Sequence, residues 1–238
     1  MLFAGIGTLI NVGMILLGSL VGLLLGQRLP PRISETMLQV MGLLVIGIGV
    51  QMSLAAETAA QAVVILLALV TGALIGESID IEKHLRHAGE WIEDQVHRYW
   101  GPSPITQAFM TATIVYLVGP LAILGSLQDG LENDPSLLVI KAALDGIASV
   151  AFTTSLGIGV IFSAGPVLVY QGTITLLGQS LSALLNEDII AALTASGGIL
   201  IMGVGINLLN IKPMRVGNLL PALPLAMALC GLTPIWHL

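Results

Sequence analysis

Charged residues are confined to short stretches of this chain, and the stretches between them are long and apolar. Eight of these runs approach the roughly 20 residues that a helix needs to cross about 30 Å of hydrocarbon. Because backbone groups cannot stay unpaired in lipid, such runs predict helices. Apolar residues make up 55% of the 238 and charged residues 9%, with a mean hydropathy of +0.97, which excludes an ordinary soluble domain.

The sequence therefore predicts an all-α, polytopic transmembrane helix bundle that forms a single integral membrane domain over residues 1–238. The eight predicted spans have the approximate limits 3–26, 36–54, 60–77, 106–126, 136–162, 165–185, 189–210 and 216–236. A seven-span arrangement with one re-entrant segment is the alternative. The first span lacks the basic start and the cleavage site of a signal peptide, so we expect it to be retained.

Basic residues mark one side of the predicted membrane domain. Seven of the eight Lys and Arg residues lie in the loops after spans 1, 3 and 7, whereas the opposite loops carry only acids. The positive-inside bias then predicts cytoplasmic basic loops and both termini outside. The net charge of -6 and the lack of a basic stripe argue against nucleic-acid binding, and the single Cys230 excludes a disulfide within one chain.

The one long polar segment, residues 78–103, has apolar residues at helical spacing. This pattern predicts an amphipathic helix along the cytoplasmic interface, with Trp91, Tyr99 and Trp100 as anchors at the level of the lipid headgroups. Packing of the helix on cytoplasmic loops is the alternative.

The same segment contains two histidines, His84 and His87, at a spacing that occurs in metal sites. Neither Glu90 nor Asp94 offers a third ligand at a convincing spacing. We therefore predict no metal site and no cofactor.

Glycines at four-residue spacing in the first span, Gly18, Gly22 and Gly26, predict a close contact between helices. The contact lies within the chain or across a homodimer, and a homodimer is our prediction. A weak internal repeat also relates residues 41–51 to residues 197–207, which predicts an inverted repeat with broken helices, although 28 glycines make chance matches frequent.

A base and an acid, Lys141 and Asp145, lie one helical turn apart in an otherwise uncharged span. Asp145 falls roughly 13 Å into the membrane, where a carboxylate costs about 2.5 to 3.5 kcal/mol. An ion pair with Lys141 would make the motif structural. Ser149 and Thr153 continue the same helical line, however, so the pattern also predicts a polar stripe that binds a proton, an ion or a polar group.

Other candidate residues for this site are polar groups and helix breaks in neighbouring spans. Gly119 and Pro120 interrupt the fourth span and are expected to form a cavity with the stripe. Candidate ligands from other spans are Tyr116, Gln171 and Asn207. A further amide, Asn11, is expected to form interhelical hydrogen bonds.

Three strings resemble a known family: YLVGPLAILGSLQDGL (116–131), a long string that begins KAALDGIASVAFTTSLG (141–157), and NLLNIKPMRVGNLLPAL (207–223). They are similar to the YqgA/YdfK-like bacterial inner-membrane family, domain of unknown function 554. The resemblance covers essentially the whole chain. It implies a multi-pass protein of the bacterial cytoplasmic membrane with a suggested role in transport, and it implies no catalytic residues.

These features predict a secondary transporter or channel for a small ion or polar solute. The alternative is a membrane scaffold or signalling protein in which Lys141 and Asp145 form a structural ion pair. An enzyme is not expected, because no histidine lies well inside a predicted span and no serine has a suitable base.

Overall fold

A computed structural model describes residues 4–26, 30–100, 105–118, 120–178 and 186–232, which form helices and no strand. The predicted all-α fold is confirmed. The α-helices are α1 (Ile6–Gly26), α2 (Pro31–Ser53), α3 (Ala59–Ile79), α4 (Ile81–Trp100), α5 (Ile105–Leu117), α6 (Pro120–Glu132), α7 (Ser136–Leu156), α8 (Ala164–Leu176), α9 (Glu187–Leu208) and α10 (Ala222–Leu232). Two 3-10 helices, Ile158–Ser163 and Val216–Leu219, precede α8 and α10.

The number of helices that can cross a membrane differs from the eight predicted. Within the described residues, six are long and apolar enough, and a seventh span results if α5 and α6 are counted as one broken helix with a bend of 61°. The last predicted span is represented by an apolar helix over Val216–Gly231, and the end of that prediction lies outside the described residues. Pro120 explains the broken helix, because it begins a new helix.

The described residues divide into two compact units. The first unit takes its residues from Met1–Met41, Arg86–Leu117 and Leu121–Leu184, and the second from Gly42–Leu85, Val118–Pro120 and Leu185–Leu238. In the first unit, α7 ends at Leu156 because Gly157 adopts a φ of 91°, which disfavours other residue types. The 3-10 helix that follows therefore belongs to the next span and not to the predicted span 136–162.

The glycine face of α1 packs against α7 within the first unit. Three glycines meet three successive turns of α7: Gly18 with Gly146, Gly22 with Val150, and Gly26 with Thr154. The Thr154 hydroxyl also donates a hydrogen bond of 3.1 Å to the Gly22 carbonyl. Since the pairing advances in the same direction along both helices, α1 and α7 run parallel. The predicted close contact is thus made inside one chain, and a homodimer through these glycines would have to displace α7.

Replacing Gly22 with leucine is expected to lower the free energy of unfolding by about 1–3 kcal/mol, the typical range for overpacked sites. A Cβ atom at this position would lie 2.5 Å from the Val150 carbonyl oxygen and 2.8 Å from Cβ of Thr153. Gly13→Leu is the matched control, because a Cβ on Gly13 of the same helix meets no atom within 4 Å. Thermal unfolding in detergent measures the difference, and equal midpoints for the two variants would contradict the contact.

In the second unit, the two segments of the predicted repeat pack against each other. Gly42 of α2 lies against Gly205 of α9, and Gly49 of α2 lies against Gly198 of α9. Gly42 and Gly198 hold the first of two equivalent positions in the repeat, and Gly49 and Gly205 hold the second. The first position of each segment therefore packs against the second position of the other segment. The two helices are therefore antiparallel and related by a local two-fold axis, which agrees with the predicted inverted repeat.

Polar contacts join the ends of helices in the second unit. Arg215 donates a hydrogen bond of 3.0 Å to the carboxylate of Glu77 at the end of α3. At the start of α4, the backbone amide of Glu82 donates to Asn218, and the carboxylate of Glu82 accepts from the amide of Gly217. These bonds bring together the chain segments that follow α3 and α9, which are two of the three predicted basic loops.

The amphipathic helix predicted within residues 78–103 is α4. Its Trp91 is 66% exposed, as an interfacial anchor would be. The side chains of the other two predicted anchors, Tyr99 and Trp100, lie outside the described part of the structure. On the opposite side of α4, Gly89 packs against Thr106 of α5, whose amide and hydroxyl donate to Glu93.

Candidate functional site

The charged pair of the polar motif lies on the buried side of α7. Lys141 is 5% exposed and Asp145 is 8% exposed, and the Lys141 ammonium donates a hydrogen bond to Oδ2 of Asp145. Asp145 is one residue from the midpoint of α7, which is itself long enough to span a membrane. The predicted pairing is therefore formed, and it lies at mid-helix.

An amide from α1 joins the same carboxylate. Nδ2 of Asn11 donates to Oδ2 of Asp145 at 3.0 Å and also lies 3.2 Å from Oε1 of Gln171 in α8. Both amide residues are fully buried. Asn11 thus links three helices at one point, and the packing of α1 on α7 determines where it lies.

A second buried contact continues the site along α7. The hydroxyls of Tyr116 in α5 and Ser149 in α7 share a hydrogen bond of 2.7 Å. The Lys141 ammonium lies 6.0 Å from the centre of the Tyr116 ring, within the range of a cation–π interaction. The ring packs against Phe152 with a centroid distance of 6.2 Å. Tyr116 therefore contacts both the charged pair and the hydroxyl that follows it.

The polar stripe extends one turn further to Thr153. Its side chain is 2% exposed, and within the described chain its hydroxyl has no hydrogen-bond partner. The same holds for Oδ1 of Asn11 and Nε2 of Gln171. Because unpaired buried polar groups are unfavourable, each of these atoms is available to a polar partner along the stripe.

Most of the predicted site residues therefore come together in the first unit. The group consists of Lys141, Asp145, Ser149, Thr153, Tyr116 and Gln171, and Asn11 completes it. From the sequence, Asn11 is expected only to pack helices together. Its one distinguishing signal is that it is the sole side-chain amide in α1.

Three predicted residues lie elsewhere in the chain or outside the described residues. Asn207 belongs to the second unit, where it forms two hydrogen bonds with the backbone of Met214, at 2.7 and 2.9 Å. Pro120 begins α6. Gly119 lies outside the described residues, so the cavity expected at this helix break stays a prediction.

In this group, Lys141 of the same helix occupies the Asp145 carboxylate and therefore competes with any ion that would bind there. Asp145 presents one negative charge, and the Lys141 ammonium and the Asn11 amide both bind the same oxygen of it. In surroundings of low dielectric, loss of either charge leaves the other unpaired, at a cost of several kcal/mol, typically about 3–5. A proton or cation that binds Asp145 therefore changes the energy of Lys141 directly.

Comparisons with known proteins agree with the membrane architecture. Residues 6–231 match the profile of a family described as "Protein of unknown function (DUF554)". The chain is 33% identical over 235 residues to "Uncharacterized protein YqgA" of Escherichia coli K12, covering 97% of this chain and 98% of that protein. It is 28% identical over 218 residues to "Uncharacterized membrane protein YdfK" of Bacillus subtilis 168, covering 91% and 92%. No solved structure matches the chain.

Proposed function

This chain belongs to the DUF554 family, and on that premise we propose that it is a secondary transporter or channel for a small ion, with Asp145 as the binding group. One observation carries the proposal: a mid-helix carboxylate is buried with its own lysine and accepts a hydrogen bond from an amide of α1, and buried polar groups of α5 and α8 contact this lysine and this amide. Ionisable groups at membrane depth commonly belong to ion pathways and proton relays.

Lys141 is the internal competitor in the proposed cycle. In one state its ammonium neutralises Asp145, as the hydrogen bond between them indicates. When a proton or a small cation binds the carboxylate, Lys141 loses its partner and is driven to another position along α7. A ligand changes a conformational equilibrium when it binds one state better than the other, and this exchange provides that difference.

The neighbouring polar groups are suited to a partly dehydrated ion. Beside Asp145, Oδ1 of Asn11 offers an oxygen ligand that no described residue uses, and the Thr153 hydroxyl offers another about two turns further along α7. Ser149 and Tyr116 offer two more hydroxyl oxygens, which form a hydrogen bond with each other in this structure. Oxygen ligands of this kind suit hard cations and protons more than soft metals.

The orientation we propose has both termini outside and the basic loops in the cytoplasm of a bacterial cell. The Glu77–Arg215 pair supports it, because it brings two basic loops to one end of the second unit. Single cysteines at Lys212 and at Glu57, in a Cys230→Ser background, are expected to react with a membrane-impermeant maleimide from the inside and the outside, respectively. Labelling of Lys212→Cys in intact cells would overturn this orientation.

Ion flux into proteoliposomes tests the function even though the transported ion is unidentified. Vesicles that contain a pH dye or an indicator for Na⁺ or K⁺ are given gradients of H⁺, Na⁺ or K⁺ in turn, and the response is compared with that of protein-free vesicles. We expect at least one gradient to drive a proton or cation flux that requires the protein. No flux under any gradient would favour the scaffold alternative.

The scaffold alternative also has a specific observation in its favour. Both charges are almost fully buried and already paired, as they would be in a purely structural bridge. In that case the pair holds α7 against α1 through Asn11, and it binds nothing else. Flux and stability measured together on variants of Lys141 and Asp145 separate the two roles.

A further inference from the structure

We propose that the first unit contains a second binding site, for a monovalent alkali cation of the sodium class, formed by Asp129, Thr8 and Thr175. These residues come from α6, α1 and α8, and each is more than nine-tenths buried. Each carries a side-chain oxygen without a hydrogen-bond partner in the described parts of the chain. The site is separate from Asp145.

Asp129 binds the start of α1 through one of its two carboxylate oxygens. Oδ2 accepts hydrogen bonds from the amides of Gly5 and Gly7, at 3.0 and 3.2 Å. The residue is 0% exposed, and Oδ1 has no partner among the described residues. Oδ2 therefore caps the start of α1, whereas this capping role does not account for the burial of Oδ1 without a partner.

Contacts of α6 connect Asp129 and its neighbour Gly130 to the two helices that carry the threonines. Thr8 follows directly after Gly7, whose amide donates to Asp129, so its backbone lies beside this carboxylate. Gly130, the next residue of α6, packs so closely on the Thr175 carbonyl that a Cβ atom there would overlap it. Asp129 and its neighbour thus touch both helices that supply the hydroxyls.

The hydrogen bond between Asn11 and Gln171 fixes the level of the cluster. Thr8 precedes Asn11 by three residues in α1, and Thr175 follows Gln171 by four residues in α8. Because α6 contacts α1 next to Thr8 and α8 at Thr175, both threonines lie on the same side of the Asn11–Gln171 bond. Each is about one helical turn, or roughly 5 Å, away from it. The oxygen cluster therefore lies about one turn from the Asn11–Gln171 hydrogen bond, and Asn11 in turn binds Asp145.

The donor set selects the class of ligand. One carboxylate and two hydroxyls are hard oxygen donors, which favour alkali and alkaline-earth cations over zinc or copper. A single negative charge balances a monovalent ion, whereas buried divalent sites recruit several carboxylates. In the part of the chain that the structure describes, no three His, Cys, Asp or Glu residues are grouped closely enough to hold a metal.

The test is cation-dependent thermal stability of the purified full-length protein in detergent. NaCl replaces choline chloride at constant ionic strength, and we expect the unfolding midpoint to rise with Na⁺ concentration as for a bound ligand. Thr8→Val and Thr175→Val each keep the shape and remove one oxygen, and we expect about a tenfold loss of apparent Na⁺ affinity in each.

Thr113→Val is the matched control. Thr113 is also buried with an unpartnered hydroxyl within the described residues, and it belongs to α5, which supplies none of the three proposed ligands. Asp129→Asn retains an oxygen for the α1 amides and should abolish the Na⁺ response. Absence of a response to Na⁺, Li⁺ and K⁺ in the wild type, or an equal loss in Thr113→Val, would overturn the proposal.

The measurement is independent of transport. If Na⁺ stabilises the protein, Asp129→Asn removes this effect and no flux is found, the cluster binds a structural cation and the proposed transport fails. If flux is found without cation-dependent stability, the Asp145 proposal stands and this site fails. Retention of the full Na⁺ response in Asp129→Asn would likewise exclude the cluster.

Discussion

Replacing Asp145 with asparagine is expected to abolish the ion flux of the wild-type protein, because the change removes the negative charge that binds the ion. The shape is preserved, and the new side-chain oxygen can still accept the hydrogen bond from Asn11. We expect flux in proteoliposomes to fall to the level of protein-free vesicles. Asp145→Glu keeps the charge on a longer side chain and should retain part of the flux.

Glu132→Gln is the matched control for loss of one carboxylate, since Glu132 is exposed at the end of α6. It should leave the flux unchanged. Lys141→Met combined with Asp145→Asn removes both charges, so it provides a folded test protein if the single variant unfolds. Wild-type flux in a folded protein that lacks the Asp145 carboxylate would exclude Asp145 as the binding group.

Much of the fold follows from patterns that are local in the sequence. Six apolar runs become helices of spanning length, because predominantly apolar segments of about 20 residues have no other way to pair their backbone in lipid. The positions of Lys141 and Asp145 on one face of α7 follow in the same way from their four-residue spacing. The glycine face of α1 is likewise evident from spacing, but its partner is not.

The parts that the sequence could not supply are contacts between distant segments. Asn11 and Asp145 are 134 positions apart, and nothing in either neighbourhood specifies the other. Asp129 reads as one acid of an external loop, yet it is fully buried against the start of α1. Asn207 is predicted from the sequence to be a ligand of the site, but its side chain instead forms two hydrogen bonds with the nearby backbone of Met214.

The helix breaks illustrate a different limit. Gly119 and Pro120 predict an interruption of one span, but sequence does not give the angle between the two halves, which is 61°. Gly157 is expected from sequence only to loosen a helix. Its positive φ instead ends α7, because a residue at φ 91° cannot continue a right-handed helix.

Replacing Lys141 alone with methionine is expected to destabilise the protein by about 3–5 kcal/mol, the usual range for breaking a buried ion pair. The reason is the partner left behind: Asp145 is 8% exposed and would keep a charge with only the Asn11 amide to bind it. The free energy of unfolding, measured in detergent at neutral pH, gives the size of the loss. Lowering the pH should reduce it, because protonation removes the unpaired charge.

The double variant, Lys141→Met with Asp145→Leu, decides between a structural bridge and a binding site. Replacing a buried pair with apolar residues is often neutral or stabilising, so we expect the double variant to recover most of the stability that Lys141→Met loses. Recovery alone fits both roles, whereas flux separates them. A stable double variant without flux means that the charges serve ion binding, and a stable double variant with wild-type flux would make the pair a bridge and refute the proposed site.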